Sequence, residues 1–232
     1  IAEVALIADY KVYLQDIKQT YLDRGVCRID DSLKKLVSKD EISPAHHRKI
    51  MSNLLVPCLE LEDAIIDADL VIESTPEIMD LKKKLFKTID AGAPHHAILV
   101  SNTSSLKITE LASVTDRPEK FIGMHYCNPA ILMKTVEVIR GDKTSDESMQ
   151  IGVDFILRNN KIPVRVEKDV PGFIINRVQA PRGVLLGCIL DAGEISPESV
   201  DAYMKSLGMP MGPYETMDYT GIDIVYHGSL YF

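Results

Sequence analysis

The segment ADLVIESTPEIMDLKKKLFKTIDAGAPHHAILVSNTSSL, residues 68–106, decides the fold class. It places an apolar strand, a charged helix and a second apolar strand in succession. In the helical part, Thr75 suits the N-cap and Pro76 the first helical position. An apolar stripe follows at helical spacing, comprising Ile78, Leu81, Leu85, Phe86 and Ile89. The segment therefore predicts a strand, helix and strand that pack as one unit.

The same alternation continues on both sides of this segment. In chain order, the pattern predicts a helix in residues 1–10, a strand in 11–16, a helix from about Leu22 to Lys39, a helix after Ser43-Pro44, a short helix near Lys107 and two strands in 121–141. Alternating strands and helices are typical of an α/β protein. We therefore predict a doubly wound parallel sheet.

Polar side chains gather where the predicted strands end. Ligands of doubly wound sheets bind at the carboxyl ends of the strands, so these positions are candidates for a site. The stretch SNTSSL sets five small polar residues directly after an apolar strand, whereas capping a helix needs one or two. The candidate positions are Asp16, residues 73–77, residues 101–105 and His125.

The segment GMHYCNPAILMKTVEVIRG, residues 123–141, contains a histidine before an Asn-Pro break and an acid within an apolar strand. The alternation puts Glu137 on the strand face opposite to Val136 and Val138, so Glu137 faces either water or a partner. If the partner is His125, the pair forms a general base. A buried structural histidine and a solvated acid explain the pattern equally well.

Composition narrows the function classes. The 232 residues are 46% hydrophobic and 26% charged, which is ordinary for a globular protein of one or two domains. The net charge of -8 disfavours nucleic acid and anionic membrane surfaces as partners. The longest apolar run, GVLLGCIL, is too short to span a bilayer. We therefore expect neither nucleic-acid binding nor a membrane anchor.

The cysteines and histidines suggest neither disulfides nor a metal site. The four cysteines lack CxxC spacing, and we expect no secretory leader, because no cationic-then-apolar pattern is seen at the start of the sequence. The adjacent histidines at 46–47 and 95–96 point in different directions on a helix and have no clustered ligands nearby. We expect a protein of a reducing compartment, the cytoplasm or, for a eukaryotic source, the mitochondrial matrix.

Asp16 carries a cofactor prediction. An acid at the end of the second strand of a dinucleotide-binding fold accepts hydrogen bonds from the ribose hydroxyls of the adenosine half. The same acid repels a 2′-phosphate, which favours NAD over NADP. A single aspartate after a strand is more often a turn residue, so this signal alone is weak.

Five motifs together resemble the L-3-hydroxyacyl-CoA dehydrogenases. In order they are SNTSSL (101–106), GMHYCNP (123–129), KTVEVIRG (134–141), DVPGFIINR (169–177) and GMPMGPYETMDYTGID (208–223). The resemblance covers essentially the whole chain. It implies a Rossmann-like NAD-binding domain in residues 1–169 and a smaller all-α domain in residues 170–232, through which two copies form a homodimer.

The resemblance also implies roles for individual residues. His125 is the general base that removes the proton of the substrate 3-hydroxyl, and Glu137 orients it and stabilises its charge. Ser104 lies between nicotinamide and substrate, and Asn176 holds the reacting oxygen. The remaining contacts implied are Glu77, Lys82 and Asn128 with the nicotinamide half of NAD, Asp16 with the ribose, and Ser32 and Lys39 with coenzyme A.

Two departures from the family pattern lead to expectations about completeness. The chain opens on the helix that follows the family's first strand and glycine-rich phosphate turn, so that strand and turn are expected to be missing. The C-terminal motif stops early, so the helical domain is expected to be incomplete.

The predicted activity is NAD-dependent oxidation of short or medium L-3-hydroxyacyl-CoA in fatty-acid or related metabolism. A dehydrogenase of free sugar acids is one alternative, and it would have no use for Ser32 and Lys39. A non-catalytic relative of the lens-crystallin type is another. The set of Ser104, His125, Glu137 and Asn176 argues against that second alternative.

Overall fold

The chain divides into two compact units, Ile1–Asp169 and Val170–Phe232, and the computed structural model describes residues 1–222. The expectation that the helical domain is incomplete concerns residues 223–232, which lie outside the described residues. Within residues 1–222, the first unit contains both sheets, and the second contains three helices.

The first unit alternates strands and helices, as the sequence pattern predicts. Its strands are β1 Val12–Gln15, β2 Leu55–Cys58, β3 Leu70–Glu73, β4 Ile98–Ser101, β5 Phe121–Tyr126, β6 Thr135–Arg140 and β7 Ile162–Val166. Its α-helices are α1 Ala2–Ile7, α2 Gln19–Ser38, α3 Pro44–Lys49, α4 Leu61–Ile65, α5 Met79–Gly92, α6 Ile108–Ala112 and α7 Asp146–Arg158. A π-helical turn, Ile50–Leu54, extends α3, and a 3₁₀ turn, Pro118–Lys120, precedes β5.

The five-stranded sheet has the order β3-β4-β5-β6-β7. Strands β3, β4 and β5 are parallel, which confirms the prediction for residues 68–126, and β4 is buried along its whole length. Strand β6 is antiparallel to β5, which the alternation does not predict. The reason is the length of the connection. Residues 127–134 are too few for the crossover of about a dozen residues that a parallel neighbour requires.

Strands β1 and β2 form a separate parallel sheet within the same unit. Among residues 1–222, no strand pairing joins this sheet to the five-stranded one. The two sheets nevertheless share a core. Val12 of β1 and Ala5 of α1 pack against the cluster that contains Ile98 and Val100 of β4. The Rossmann-like sheet is therefore present in two parts that one apolar core holds together.

Helix α5 begins later than the sequence predicts. Its N-cap is Ile78, so the prediction of Thr75 as N-cap and Pro76 as first helical residue is wrong. The amide and hydroxyl of Thr75 both donate to Glu73, so this side chain does not cap the helix. Of the predicted apolar stripe, Phe86 and Ile89 are buried, Leu85 is half-buried, and Ile78 and Leu81 are exposed.

The second unit is helical in residues 170–222, as predicted for this part of the chain. Its helices are α8 Ile175–Ala192, α9 Pro197–Ser206 and α10 Pro213–Thr220. The Ser196 hydroxyl caps α9 by accepting from the Ser199 amide, and the Tyr214 hydroxyl joins α10 to the Leu186 carbonyl of α8. Residues 1–222 include no helix with the length and apolar character needed to span a bilayer.

Candidate active site

His125 and Glu137 lie directly opposite each other on the antiparallel strands β5 and β6. The His125 Nδ1 is 2.7 Å from Glu137 Oε2, and both side chains are buried. This register explains the acid inside the apolar strand: Glu137 faces a partner, as one of the two sequence interpretations requires. The predicted proximity of the two side chains is confirmed.

The chemistry of the pair follows from which atoms can donate. An ionised carboxylate only accepts, so the imidazole donates its Nδ1–H to Glu137, and the neutral ring carries its lone pair on Nε2. When Nε2 takes up a proton, the buried carboxylate stabilises the resulting imidazolium. The arrangement is suited to a general base with a fixed ring orientation.

In the SNTSSL loop, two side chains point inward to Glu77 and the one between them is exposed. Thr103 and Ser105 are buried, and their hydroxyls both donate to Glu77, whereas Ser104 between them is exposed. The Asn102 side-chain oxygen accepts from the Tyr126 amide, which ties the loop to the end of β5. The excess of small polar residues after β4 is thus structural, with Ser104 presented at the surface.

One oxygen of Glu77 organises this loop. Its Oε1 accepts from the Thr103 hydroxyl at 2.5 Å, the amides of Ser104 and Ser105 at 2.9 and 3.0 Å, and the Ser105 hydroxyl at 3.1 Å. Burial alone would raise the pKa of Glu77, but these donors and the nearby Lys82 ammonium outweigh it and lower the pKa below its usual value of 4.5. Glu77 is therefore a fixed anion beneath Ser104.

Replacement of Glu77 by glutamine is expected to cost about 1 to 3 kcal/mol at neutral pH, because charged acceptors bind more strongly than neutral ones. Since folding lowers the pKa of Glu77, its contribution is complete above pH 4.5 and is lost as pH falls through the folded value. The difference in unfolding free energy between wild type and Glu77→Gln should therefore shrink below pH 4.5 in urea titrations. Glu110→Gln, which removes an exposed pair with Lys83, is the control and should change little.

Lys82 lies deeper than its predicted role as a cofactor contact suggests. Its side chain is 1% exposed, and its Nζ donates to Glu73 at 2.6 Å and to the Thr75 carbonyl at 3.0 Å. Glu77 Oε2 is 3.6 Å from the same Nζ. The ammonium is thus occupied by groups of the protein and has little access to a ligand.

The other predicted cofactor and coenzyme A residues of the first unit are dispersed. Asp16 follows β1 and accepts from the Ile17 amide at 2.7 Å, as a turn residue does. Ser32 of α2 donates to Glu3, which opposes the rise that burial causes in the pKa of the Glu3 carboxyl. Lys39 is exposed at the C-cap of α2. Asp16 and Lys39 can be reached from solvent, and Ser32 faces α1.

Asn128 and Asn176 lie in different units. Asn128 is exposed two residues after β5, and its peptide bond to Pro129 is cis. Asn176 is in the first turn of α8, in the second unit. Within residues 1–222, no group of three or more His, Cys, Asp or Glu side chains is arranged to hold a metal ion.

Glu73 and Asn102, predicted only as members of the candidate ranges 73–77 and 101–105, support this site at the ends of β3 and β4. Glu73 ends β3 in register with Ser101 at the end of β4, and the Ser101 hydroxyl donates to it at 2.7 Å. The sequence indicates this contact through a carboxylate at the end of one apolar strand and a polar residue at the end of the next.

A Rossmann-like sheet, an acid directly after β1 and a buried histidine–carboxylate pair are the features expected of a nucleotide-dependent dehydrogenase. The family model "3-hydroxyacyl-CoA dehydrogenase, NAD binding domain" matches residues 1–170, and that of the C-terminal domain matches residues 172–232. The chain belongs to the 3-hydroxyacyl-CoA dehydrogenase family, and its reaction is the NAD-dependent oxidation of 3-hydroxyacyl-CoA.

Individual relatives agree with this assignment. The chain is 39% identical over 225 residues to a 3-hydroxybutyryl-CoA dehydrogenase of Bradyrhizobium diazoefficiens, covering 96% of this chain and 75% of the relative. It is 38% identical over 228 residues to the mitochondrial hydroxyacyl-coenzyme A dehydrogenase of Sus scrofa, covering 96% and 72%. The crystal structure of (S)-3-hydroxybutyryl-CoA dehydrogenase from Ralstonia eutropha is similar, with a TM-score of 0.91, 34% identity, and coverage of 99% and 81%.

The donor and acceptor groups of the first unit fit the cofactor. Asp16 offers a carboxylate acceptor for hydroxyls, and the exposed Ser104 and Asn128 offer neutral groups that both donate and accept. Glu77 is 32% exposed, so part of its carboxylate can also be reached from solvent. These groups suit a ligand that carries ribose hydroxyls and a carboxamide.

Proposed function

We propose that the protein oxidises a short L-3-hydroxyacyl-CoA, 3-hydroxybutyryl-CoA, with His125 as general base. The observation that carries this proposal is the buried 2.7 Å contact between His125 Nδ1 and Glu137 Oε2. The printed names of the Bradyrhizobium and Ralstonia relatives support a four-carbon acyl group.

The residues divide the work of the reaction. His125 Nε2 takes the proton of the substrate 3-hydroxyl, and Glu137 stabilises the imidazolium that results. Bound NAD would supply the hydride acceptor for C3 of the substrate. Ser104, between nicotinamide and substrate, holds the reacting oxygen by a hydrogen bond and so orients the hydroxyl toward His125. The family resemblance gives Asn176, a residue of the second unit, a contact with the same oxygen.

The remaining residues bind the cofactor and the coenzyme A moiety. Asp16 accepts from the adenosine ribose hydroxyls, and Glu77 and Asn128 contact the nicotinamide half. Lys82 contributes there through Glu77, because its own ammonium is buried. Lys39, exposed on α2, donates to a phosphate of coenzyme A, and Ser32 contributes from the same helix.

Kinetics with matched substrates test this proposal. We expect kcat/KM for 3-hydroxybutyryl-CoA to exceed that for free 3-hydroxybutyrate by more than about 100-fold, because charge-assisted bonds to the coenzyme A phosphates are lost with the free acid. Lys39→Ala should lower the value for the coenzyme A ester about 10-fold and leave that for the free acid unchanged. Lys35→Ala, an exposed lysine on the same helix, is the control. Equal rates with free hydroxy acids would favour the sugar-acid alternative, and no turnover of either would favour the non-catalytic one.

The domain boundary, assembly and location are proposed on the same basis. We propose that Asp169 ends the NAD-binding domain, in accord with the division into compact units. A homodimer through the helical domain accounts for the exposed apolar side chains of α8, among them Val178, Val184 and Leu185. The cytoplasm, or the mitochondrial matrix in a eukaryote, suits the four free cysteines and the name of the Sus scrofa relative.

A further inference from the structure

Glu73 is a buried carboxylate, and both of its oxygens accept hydrogen bonds from groups of the protein. Its Oε1 accepts from the Thr75 amide at 2.5 Å, the Thr75 hydroxyl at 2.6 Å and Lys82 Nζ at 2.6 Å, and its Oε2 accepts from the Ser101 hydroxyl at 2.7 Å. Its side chain is fully buried, so it cannot touch a substrate or cofactor. Any effect of Glu73 on the reaction must pass through its neighbours.

Lys82 links Glu73 to the Ser104 loop. The buried ammonium is 2.6 Å from Glu73 and 3.6 Å from Glu77 Oε2, so Glu73 is its main partner and Glu77 its second. A buried ammonium needs a negative partner at close range. If Glu73 lost its charge, Glu77 would be the nearest remaining anion, and Lys82 would be drawn toward it.

The Glu77 carboxylate cannot bind the loop amides and form a close ion pair with Lys82 equally well. In the structure its Oε1 collects the amides of Ser104 and Ser105, while its Oε2 faces Lys82 at a distance longer than a hydrogen bond. A closer pair with Lys82 would turn the carboxylate away from the two amides. The backbone that carries the exposed Ser104 would then lose its main anchor.

We propose that Glu73 is a positioning residue, which holds Lys82 so that Glu77 stays on the loop amides and Ser104 stays in its catalytic position. The inference rests on the proposed function, in which Ser104 holds the reacting oxygen. On this inference, the Glu73–Lys82 pair differs from a buried ion pair that only stabilises the fold. Loss of the Glu73 charge should alter the reaction as well as the free energy of unfolding.

The first test compares two isosteric variants in the full chain. Glu73→Gln should lower kcat about 10-fold to 100-fold, the range expected when a reacting group is displaced by about 1 Å, with a smaller change in KM for the acyl-CoA. In the cofactor-free protein, hydrogen exchange of residues 102–106 should accelerate about 10-fold. Asp90→Asn breaks another buried ion pair, the 2.6 Å contact with Arg117, and should destabilise the protein while leaving kcat and this exchange rate unchanged. Equal effects of both variants on kcat would overturn the inference.

The second test is a double-mutant cycle with Ser104→Ala. If Glu73 acts through Ser104, Glu73→Gln should slow the Ser104→Ala protein by less than about 3-fold. Independent, multiplicative losses together with unchanged exchange contradict the inference and leave the proposed function intact. A fully active Ser104→Ala protein removes the proposed role of Ser104, and the inference falls with it.

If Glu73→Gln does not fold, a milder variant still tests the inference. Ser101→Ala removes one neutral donor from Glu73 Oε2 and leaves its charge in place. We expect kcat to fall about 2-fold to 10-fold, the equivalent of one hydrogen bond, with faster exchange in residues 102–106. If neither quantity changes in this variant, Glu73 does not position the loop.

Discussion

Replacement of His125 by alanine is expected to lower kcat about 100-fold to 10⁴-fold, the usual contribution of a positioned general base. The imidazole Nδ1 lies 2.7 Å from Glu137 Oε2, and alanine at this position leaves no acceptor for the substrate proton. Binding of NADH, measured by fluorescence titration, should change less than about 3-fold, because His125 serves the substrate hydroxyl. The measurement is steady-state oxidation of 3-hydroxybutyryl-CoA near pH 7.

The control for this variant is His96→Ala. His96 is exposed and pairs with Asp69 at 3.0 Å, so its loss should leave kcat unchanged. If His125→Ala keeps most of its activity while remaining folded, the buried pair is structural, and the interpretation of His125 as a core histidine is correct.

Replacement of Glu137 by glutamine is expected to lower kcat about 100-fold to 10⁴-fold, a loss of the size found when the carboxylate of a histidine–acid pair becomes an amide. Glutamine keeps the shape but removes the charge that stabilises imidazolium. Its amide group can also donate to Nδ1, which places the ring proton on Nε2, where the base is needed. The loss should appear in single-turnover oxidation, which isolates the chemical step.

Glu167→Gln is the matched control, since Glu167 is a strand-end acid paired at the surface with Arg140 and Arg165. That variant should retain wild-type turnover. Glu137→Asp should recover part of the activity, because it restores the charge at a longer distance from Nδ1. Full activity of Glu137→Gln would show that the acid does not assist the histidine.

The contact between His125 and Glu137 could be predicted in part, because strand periodicity is simple. Side chains alternate with a period of two, so the face of Glu137 follows from the sequence once the strand is recognised. The short link between β5 and β6 permits antiparallel pairing, but the pattern alone leaves water and His125 as equal alternatives for Glu137. The family resemblance favours His125, and the register of the two strands shows the contact.

Other features depend on distant contacts that the sequence pattern does not contain. Lys82 lies among other lysines of α5 and has the pattern of a solvated residue, yet it is buried because Glu73 and Glu77 lie close to it. The start of α5 shifts for a related reason, since Thr75 donates to Glu73 instead of capping the helix. The carboxylate at the end of β3 decides both outcomes.

The hairpin of β5 and β6 has a consequence for how the base is assembled during folding. His125 and Glu137 are 12 residues apart in the chain, whereas Glu73 and Ser101, which support the site from β3 and β4, are 28 apart. Closing the shorter loop costs less chain entropy, and local contacts favour fast folding. The catalytic pair is thus encoded in one contiguous supersecondary element, which can adopt its register before the parallel strands that present the loop have found their neighbours.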